Sequence, residues 1–279
     1  KSIEKFPESY KTYLRQLHKD YPLWEFVPLE TGLDWYDAVD AQYANNKSLI
    51  TASTAYTDIY RSRESGDYNY NTGTYIQKDA GFVRANKLAV SYFMDPRNFL
   101  NEYGIYTFEK LSFSEDYTVS SVETVLKGTF MYNKLISYYD SQGNLITTDS
   151  KYSEVIYLAG RTYKVNPCYL AAKIRVEVGG GTSGSITGKH RTYPGIYNFY
   201  NIGANDGADP VSNGLKYAST GTSWMRPWNS PYKSIMGGAE FIASTYISKG
   251  QDTAYLQRFN VNKNSAFALH THQYMTNVM

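Results

Sequence analysis

The chain has 279 residues, of which 42% are hydrophobic, so it is long enough to bury a core as one large domain or two small ones. Its 28 basic and 26 acidic residues leave a net charge of +2, which gives no electrostatic case for a nucleic acid partner and suits an anionic surface only weakly. The single cysteine, Cys168, excludes an intrachain disulfide, and no apolar run approaches the roughly 18–20 residues that a membrane helix needs.

Two further features of the sequence bear on function. The chain contains 29 Tyr, 4 Trp and 12 Phe, and aromatic rings either pack in a core or stack on sugar rings. No signal peptide is visible, and the sequence starts at Lys1 without an initiator Met. We therefore expect a trimmed domain whose targeting segment lies outside this sequence.

Short helices are the clearest predicted elements of the first half. Apolar residues spaced four and then three apart predict an amphipathic helix over 9–19. A second helix is predicted over 34–43, with Trp35 and Val39 facing inward. A short helix over 96–102 opens on an Asp-Pro pair, which supplies an N-cap and a proline suited to the first turn.

The sequence patterns that predict strands are less regular than those that predict helices. Loose alternation of apolar and polar residues indicates strands over 23–29 and 108–113. Residues 45–80 are polar but still carry aromatic side chains, so they predict a long surface excursion and not a linker.

The second half contains longer helical patterns. Helices are predicted over 118–129, 151–160 and 231–248, and Gly237-Gly238 inside the last one permits close approach of another backbone. The turn residues Ser-Gln-Gly-Asn fall inside 137–148. An aromatic run at 197–204 predicts a small β element between 190 and 210, and the class is mainly α.

The stretch NPCYLAAKIRVEVGGG, which begins at Asn166, has the strongest helix signature. Asn166 is a good N-cap, and Pro167 suits the first helical position because its missing N–H costs nothing there. Leu170, Ile174 and Val178 recur every fourth residue and form one face, and three glycines end the helix.

Glu177 is the candidate catalytic residue of this helix. It lies three residues after Ile174, so we expect it on the apolar stripe, where partial desolvation raises the pKa of a carboxyl group. A protonated carboxylic acid is what glycoside hydrolysis needs to protonate a leaving oxygen. The alternative is a helix-end Glu paired with Arg175 or Lys173. The ten residues that follow the predicted helix, 179–188, contain five Gly and predict a mobile loop.

Other chemistries fit the sequence poorly. His270 and His272 are two residues apart, but no Glu or Cys completes a metal pattern, so we expect no metal. The glycines at 179–181 follow a helix instead of opening one, which is wrong for a phosphate-binding loop. No Gly-x-Ser-x-Gly elbow pairs with a base. We expect no cofactor.

Several separate motifs, in the right order, resemble the endo-β-N-acetylglucosaminidases of glycoside hydrolase family 73, the glucosaminidase modules of bacterial autolysins, and most closely the clostridial type. The core resemblance covers roughly 150–279, and shorter motifs of the first half resemble clostridial relatives. The motifs of the core are KIRVEVGGGTS (173–183), YNFYNIGA (197–204), RPWNS (226–230), IMGGAEFI (235–242), YISKGQDTAYLQRFN (246–260) and THQY (271–274).

The resemblance implies a fold, a reaction and a partner. The implied fold is lysozyme-like α+β and mainly α, with a helical lobe, a small β-lobe and a groove for the glycan between them. The implied reaction is cleavage of the β-1,4 bond after N-acetylglucosamine in peptidoglycan. We expect a secreted, wall-associated monomer that binds a glycan strand, does not insert into the membrane and binds no nucleic acid. Residues 150–279 would form the glucosaminidase core, with 1–149 packed on it.

The resemblance also assigns residues to the site. Glu177 matches the family's general acid. Asp206 is preferred to Asp209 as a second carboxylate, although either could satisfy a turn and the substrate's acetamido group could replace both. Tyr255, with Tyr246 as its rival, matches a tyrosine near the acid. Asn201 could bond an acetamido oxygen. The candidate walls for sugar stacking, each of which could equally be core, are Phe199, Tyr200 and Trp228.

Two kinds of protein remain as alternatives. A lytic transglycosylase or a muramidase shares the lysozyme-like fold and its single Glu. A catalytically inactive wall-binding module would be expected to lose the acid, and Glu177 is present.

Overall fold

A computed structural model describes residues 2–45, 47–53, 58–204 and 209–279 of the protein. Within these ranges the chain divides into two compact units. Unit 1 comprises Lys1–Glu109 and Lys249–Met279, and unit 2 comprises Lys110–Ser248. The division drawn from the sequence, 1–149 and 150–279, is a different one and stays a prediction.

Helices predominate in the described ranges, and the strands are short. The α-helices are α1 (Glu8–Asp20), α2 (Trp35–Ala44), α3 (Lys87–Met94), α4 (Val119–Leu126), α5 (Tyr152–Tyr163), α6 (Pro167–Val178), α7 (Pro210–Ser219), α8 (Pro231–Thr245) and α9 (Ala254–Phe259). The strands are β1 (Leu49–Thr51), β2 (Tyr68–Asn69), β3 (Thr74–Tyr75), β4 (Gln77–Asp79), β5 (Phe82–Arg84), β6 (Leu135–Tyr139) and β7 (Leu145–Lys151). None of the described helices is both long and apolar enough to cross a membrane.

Unit 1 joins the first and last parts of the chain. Its antiparallel sheet has the order β1-β5-β4, with Ile50 opposite Val83, and β2 and β3 form a separate hairpin. The C-terminal segment lies beside β1, because the Leu49 N–H donates to the Thr276 carbonyl and the Val278 N–H donates to the Leu49 carbonyl. This pairing explains why residues far apart in sequence share one core.

Unit 2 is built around four packed helices and one hairpin. Helix α5 packs against α4, α6 and α8, and α4 also packs against α6. The antiparallel hairpin β6–β7 is held by Tyr197, whose hydroxyl donates to the Tyr139 carbonyl at 2.7 Å and accepts from the Tyr139 N–H at 2.9 Å. Burial of this ring raises the pKa of Tyr197 to about 12.

The predicted helices are confirmed where caps and apolar spacing agree. Helix α1 covers the predicted 9–19, α5 covers most of 151–160, and α8 covers most of 231–248. Thr118 caps α4 at the predicted start by accepting a hydrogen bond from the Ser121 N–H. Helix α2 also forms, but Trp35 is 36% exposed and its predicted inward position is wrong, whereas Val39 is buried.

The predicted strands are wrong. No strand forms over 23–29, 108–113 or 197–204; residues 190–204 form turns, bends and irregular structure, and Pro210 begins α7. In the first of these segments the alternation does mark one side, since Phe26 is buried while Leu23 and Val27 are exposed, but the segment is paired with no described strand. The predicted turn inside 137–148 is confirmed, but its flanking strands β6 and β7 were missed. The predicted excursion at 45–80 contains short strands of unit 1.

Two adjacent glycines let the core of unit 2 close around α8. A Cβ added at Gly237 would overlap the carbonyl oxygen of Trp224, and one at Gly238 would overlap the ring of Tyr200. The close approach that the Gly-Gly pair predicts is therefore confirmed, and the neighbour at Gly237 is a backbone atom that cannot rotate away.

We expect Gly237→Ala to lower the free energy of unfolding by about 1–3 kcal/mol, because the clash with the Trp224 carbonyl outweighs the gain in helix propensity. Urea unfolding followed by circular dichroism measures the change. Gly180→Ala is the matched control, since a Cβ there meets no atom within 4 Å, and it should shift stability by less than about 0.5 kcal/mol. Equal effects of the two substitutions would contradict the packing argument.

Candidate active site

Helix α6 is fixed at its start by Asn166. The side-chain oxygen of Asn166 accepts hydrogen bonds from the backbone N–H groups of Cys168 and Tyr169, at 2.9 and 3.1 Å. Its side-chain nitrogen donates to the Tyr117 hydroxyl at 2.8 Å, and Asn166 is fully buried. The predicted cap is therefore confirmed, and it anchors the helix that carries Glu177.

The apolar face of α6 is also confirmed, but Glu177 does not lie on it. Leu170, Ile174 and Val178 are buried, whereas Glu177 is exposed. Val178 fills the core position of the last turn, and its neighbour Glu177 lies about 100° away around the helix. The expectation that α6 buries and desolvates this carboxyl group is wrong.

The Glu177 carboxylate is held by a neutral amide. Its Oε2 accepts a hydrogen bond from Asn201 Nδ2 at 2.9 Å. The cations that the sequence offers as partners are engaged elsewhere: Arg175 Nη1 donates to the Val125 carbonyl at 2.8 Å, and Lys173 Nζ lies 5.5 Å from the ring centroid of Tyr169. Within the described ranges no Lys, Arg or His forms an ion pair with Glu177. The carboxylate is thus oriented without being neutralised.

Asn201 reaches Glu177 from a tight turn. The turn's backbone places Asn201 at φ +50°, in the left-handed region that Asn tolerates better than most residues. The Ala204 N–H donates to the Asn201 carbonyl at 3.1 Å. The candidate substrate contact predicted at Asn201 is therefore, in this structure, a direct contact with the candidate acid.

The side chain of Asn198 holds this turn in place by hydrogen bonds to the backbone. Its side-chain nitrogen donates to the carbonyls of Ile202 and Gly214 at 2.8 and 2.9 Å, and its side-chain oxygen accepts from the Ile202 N–H at 3.1 Å. Asn198 is completely buried. The Phe199 N–H donates to the Ser234 hydroxyl at 2.9 Å, which ties the turn to α8.

Sequence reasoning missed the roles of Asn198 and Ser234. One signal was available: a polar residue in the middle of the aromatic run Tyr-Asn-Phe-Tyr-Asn either faces solvent or is a buried hydrogen-bonding group.

Three predicted subsite walls are core residues instead. Phe199 and Trp228 are 0% exposed and Tyr200 is 4% exposed, so none of them presents a ring face to a sugar. The Tyr200 hydroxyl donates to the Ile235 carbonyl, and burial raises its pKa. The indole N–H of Trp228 donates to the Trp224 carbonyl at 2.7 Å. Their prediction as stacking walls is wrong because these rings fill the space around α8.

Of the two candidates for the second carboxylate, only Asp209 lies within the described residues. Asp206 lies outside the described residues, and its role stays a prediction. Asp209 is the N-cap of α7: it accepts hydrogen bonds from the Ser212 N–H at 3.0 Å and the Ser212 hydroxyl at 2.5 Å. These bonds, with His190 nearby, lower the pKa of Asp209. Both oxygens of Asp209 thus serve the start of a helix.

The two candidate tyrosines lie in different units. Tyr246 is half-buried and follows the last residue of α8 in unit 2. Tyr255 belongs to α9 in unit 1, where its hydroxyl donates to the Met94 carbonyl at 2.6 Å and its ring packs near Phe108 and Phe259. Burial raises the pKa of Tyr255. Their catalytic roles stay predictions.

The glycine-rich segment after α6 is ordered by hydrogen bonds near its far end. The Asn198 N–H donates to the Ser185 carbonyl at 2.7 Å, and the Gly195 N–H donates to the Gly188 carbonyl at 2.9 Å. Gly188 has a φ of +66°, and a Cβ there would overlap the Tyr197 hydroxyl. The segment therefore helps to pack the turn that carries Asn201, and its predicted mobility stays a prediction.

Known proteins similar to this chain are named β-N-acetylglucosaminidase and bifunctional autolysin. No family model matches the chain. It is 33% identical over 205 residues to a β-N-acetylglucosaminidase of Bacillus subtilis, a match that covers 71% of this chain and 20% of that protein. It is 30% identical over 203 residues to a bifunctional autolysin of Staphylococcus epidermidis, covering 70% of this chain and 13% of that protein. This chain is a homologue of these two proteins. It spans about a fifth or less of the length of these curated relatives.

Solved structures agree on the fold. S. aureus glucosaminidase B has a TM-score of 0.55 and 24% identity, over 88% of this chain and 79% of that one. S. aureus autolysin E, solved in complex with a muropeptide, has a TM-score of 0.50 and 23% identity, over 88% of this chain and 83% of that one. The predicted lysozyme-like α+β class of this autolysin homologue is confirmed.

We expect Asn198→Ala to destabilise this autolysin homologue by about 2–4 kcal/mol, because it leaves the carbonyls of Ile202 and Gly214 buried without their donor. The free energy of unfolding in urea measures the loss. Asn213→Ala on the exposed side of α7 is the matched control and should be near neutral. A small effect at Asn198 would mean that the turn is held by other contacts.

Proposed function

We propose that this chain is a peptidoglycan hydrolase that cleaves the β-1,4 bond after N-acetylglucosamine. The observation that carries the proposal is the exposed Glu177 carboxylate, which a neutral amide orients and no described cation neutralises. Its homologues are named β-N-acetylglucosaminidase and bifunctional autolysin, and the neighbour autolysin E was solved with a muropeptide.

In the proposed mechanism Glu177 is the general acid. Because Asn201 donates a hydrogen bond to Oε2, that oxygen is occupied as an acceptor, and the transferable proton belongs on Oε1. A glycan strand lying over the exposed carboxyl group would exclude water from it, which favours the neutral, protonated form. Glu177 then gives the Oε1 proton to the glycosidic oxygen as the bond to the anomeric carbon breaks.

The second step has two routes. In one, Asp206 activates a water molecule that attacks the anomeric carbon and inverts its configuration. In the other, the acetamido oxygen of the substrate attacks first and water then opens the cyclic intermediate, so the configuration is retained. Asp209 is poorly suited to the first route, because Ser212 engages both of its oxygens.

We also propose where and in what form the chain acts. The names of its homologues support action on the cell wall, outside the cell. A net charge of +2 is compatible with an anionic wall. We propose that it works as a monomer that does not insert into the membrane.

We expect Glu177→Gln to abolish release of muropeptides from purified peptidoglycan, with a loss of at least about 10²–10⁴-fold, because glutamine keeps the shape and can keep the Asn201 contact but has no acidic proton to transfer to the leaving oxygen. Mass spectrometry after borohydride reduction measures it. The unsubstituted chain should yield reducible N-acetylglucosamine ends. Reducible muramic acid ends would identify a muramidase, and anhydro-muramic ends a lytic transglycosylase. Hydrolysis that survives the substitution would sink the assignment of the acid.

We expect Asn201→Gly to lower kcat by about tenfold with a smaller change in KM, because glycine keeps the left-handed backbone and removes only the amide that orients Glu177. Initial rates on a soluble glycan fragment measure both constants. Asn133→Gly is the matched control, since Asn133 has nearly the same backbone conformation, φ +52°, in the same unit. A larger effect on KM than on kcat would favour the direct substrate contact first predicted for Asn201.

A further inference from the structure

Lys173 lies on the same side of α6 as the candidate acid. It comes one helical turn before Glu177, and Tyr169 comes one turn before Lys173. Side chains four residues apart on a helix lie on one face, with their Cβ atoms about 5–6 Å apart. Tyr169 and Lys173 are half-buried, and Glu177 is exposed. The candidate acid therefore stands at the end of a row that contains a cation and an aromatic ring.

The ring of Tyr169 supports the Lys173 side chain. Lys173 Nζ lies 5.5 Å from the centroid of this ring, and Tyr169 itself packs against the buried core of unit 2. Helical side chains lean toward the N-terminus of their helix, so Lys173 leans toward Tyr169. A lysine four residues before a glutamate is also the less favourable order for an ion pair, and no ion pair joins Lys173 to Glu177. The ammonium is thus held beside the acid without neutralising it.

The substrate of the proposed reaction carries a carboxyl group beside the bond that is cut. The leaving oxygen is O4 of N-acetylmuramic acid, and the neighbouring O3 of that sugar carries a lactyl group that ends in a carboxyl group. Only a few bonds separate this carboxyl group from O4. When Glu177 protonates O4, the lactyl group is within reach of an ammonium one helical turn away. An ammonium and a carboxylate form a charge-assisted hydrogen bond.

We propose that Lys173 binds the lactyl carboxyl group of the muramic acid residue whose O4 receives the proton of Glu177. This inference rests on the proposed function and adds a source of bond selectivity to it. At the other glycosidic bond of the strand the leaving O4 belongs to N-acetylglucosamine, which has no lactyl group, so Lys173 gains no partner there. In intact peptidoglycan the lactyl carboxyl group is joined to the peptide, and its carbonyl oxygen accepts the hydrogen bond. Lys173 is a binding residue and takes no part in proton transfer.

The first test compares the binding of two oligosaccharides of equal length by isothermal titration calorimetry. One alternates N-acetylglucosamine with N-acetylmuramic acid and has free lactyl carboxylates, and the other is a chito-oligosaccharide, which has none. Each is titrated into the chain that carries Glu177→Gln, so that neither is cut. Adding Lys173→Met should raise the Kd of the lactyl-bearing oligosaccharide about tenfold and change the Kd of the chito-oligosaccharide by less than about twofold.

Two further substitutions serve as controls. Lys173→Arg keeps the cation and should keep most of the binding. Lys164→Met is the matched control, because Lys164 Nζ also lies near an aromatic ring, 5.9 Å from the centroid of Phe113, but Lys164 precedes the start of α6 and Glu177 is near its end. It should change neither Kd. The proposal is overturned if Lys173→Met leaves the Kd of the lactyl-bearing oligosaccharide unchanged, or if the chain does not bind that oligosaccharide.

A kinetic measurement separates this proposal from the proposed function. With Glu177 intact, Lys173→Met should raise KM for the lactyl-bearing oligosaccharide about tenfold with little change in kcat, because the acid is untouched. A fall in kcat at unchanged KM would overturn the binding role of Lys173. Reducible muramic acid ends, or no products from the unsubstituted chain, would contradict the proposed function instead, and the titration would still decide whether Lys173 binds the lactyl group.

Discussion

The buried amide of Asn198 is the interaction on which the candidate site depends. The Asn198 side chain donates to the Ile202 carbonyl and accepts from the Ile202 N–H, which closes the turn at 198–202, and it also donates to the Gly214 carbonyl, which joins the turn to α7. In this closed turn Asn201 has a left-handed backbone, and its amide donates to Glu177. The helix that carries Glu177 is set independently by Asn166, so two buried asparagines fix the two sides of one contact.

Helices could be predicted from the sequence because their signals are local. Caps and four-residue spacing lie within one segment, and α6 and α8 formed as predicted. Strands could not be predicted in this way, because a strand needs a partner strand, and the sequence of the segment does not show which one that is. The aromatic run at 197–204 has strand composition, but its Tyr197 N–H pairs with the Trp228 carbonyl and its Phe199 N–H with a side chain.

For the candidate site, too, some features could be predicted from the sequence and others could not. A motif singles out Glu177 as the candidate acid, which stays a prediction. Its exposure could not be predicted, because the spacing from Ile174 is compatible with either side of the apolar stripe. The aromatic residues Tyr200 and Trp228 were misassigned because composition does not distinguish a stacking wall from core. The glycines at 237 and 238 indicate where these rings belong. A helix that lacks side chains at two adjacent positions leaves space that large rings can fill.

Asp67 in unit 1 and Glu177 in unit 2 differ in the partners of their carboxylates. In unit 1, burial alone would raise the pKa of Asp67, but hydrogen bonds from Ser62 and Lys78 and the nearby Arg84 hold it below its usual range. Such a carboxylate stays ionised over the physiological range and is structural. Glu177 has the Asn201 amide as its partner and no ion pair with a described cation.

The contact between Asn201 and Glu177 makes the site sensitive to chemical ageing. Hydrolysis of the Asn201 amide to a carboxylate would replace the donor at 2.9 Å with a second acid. Two carboxyl groups at that distance cannot both be ionised, and they would share one proton between them. Because Asp also tolerates a left-handed backbone, a single deamidation event would leave the turn in place and replace the amide donor to Glu177 with a second carboxyl group.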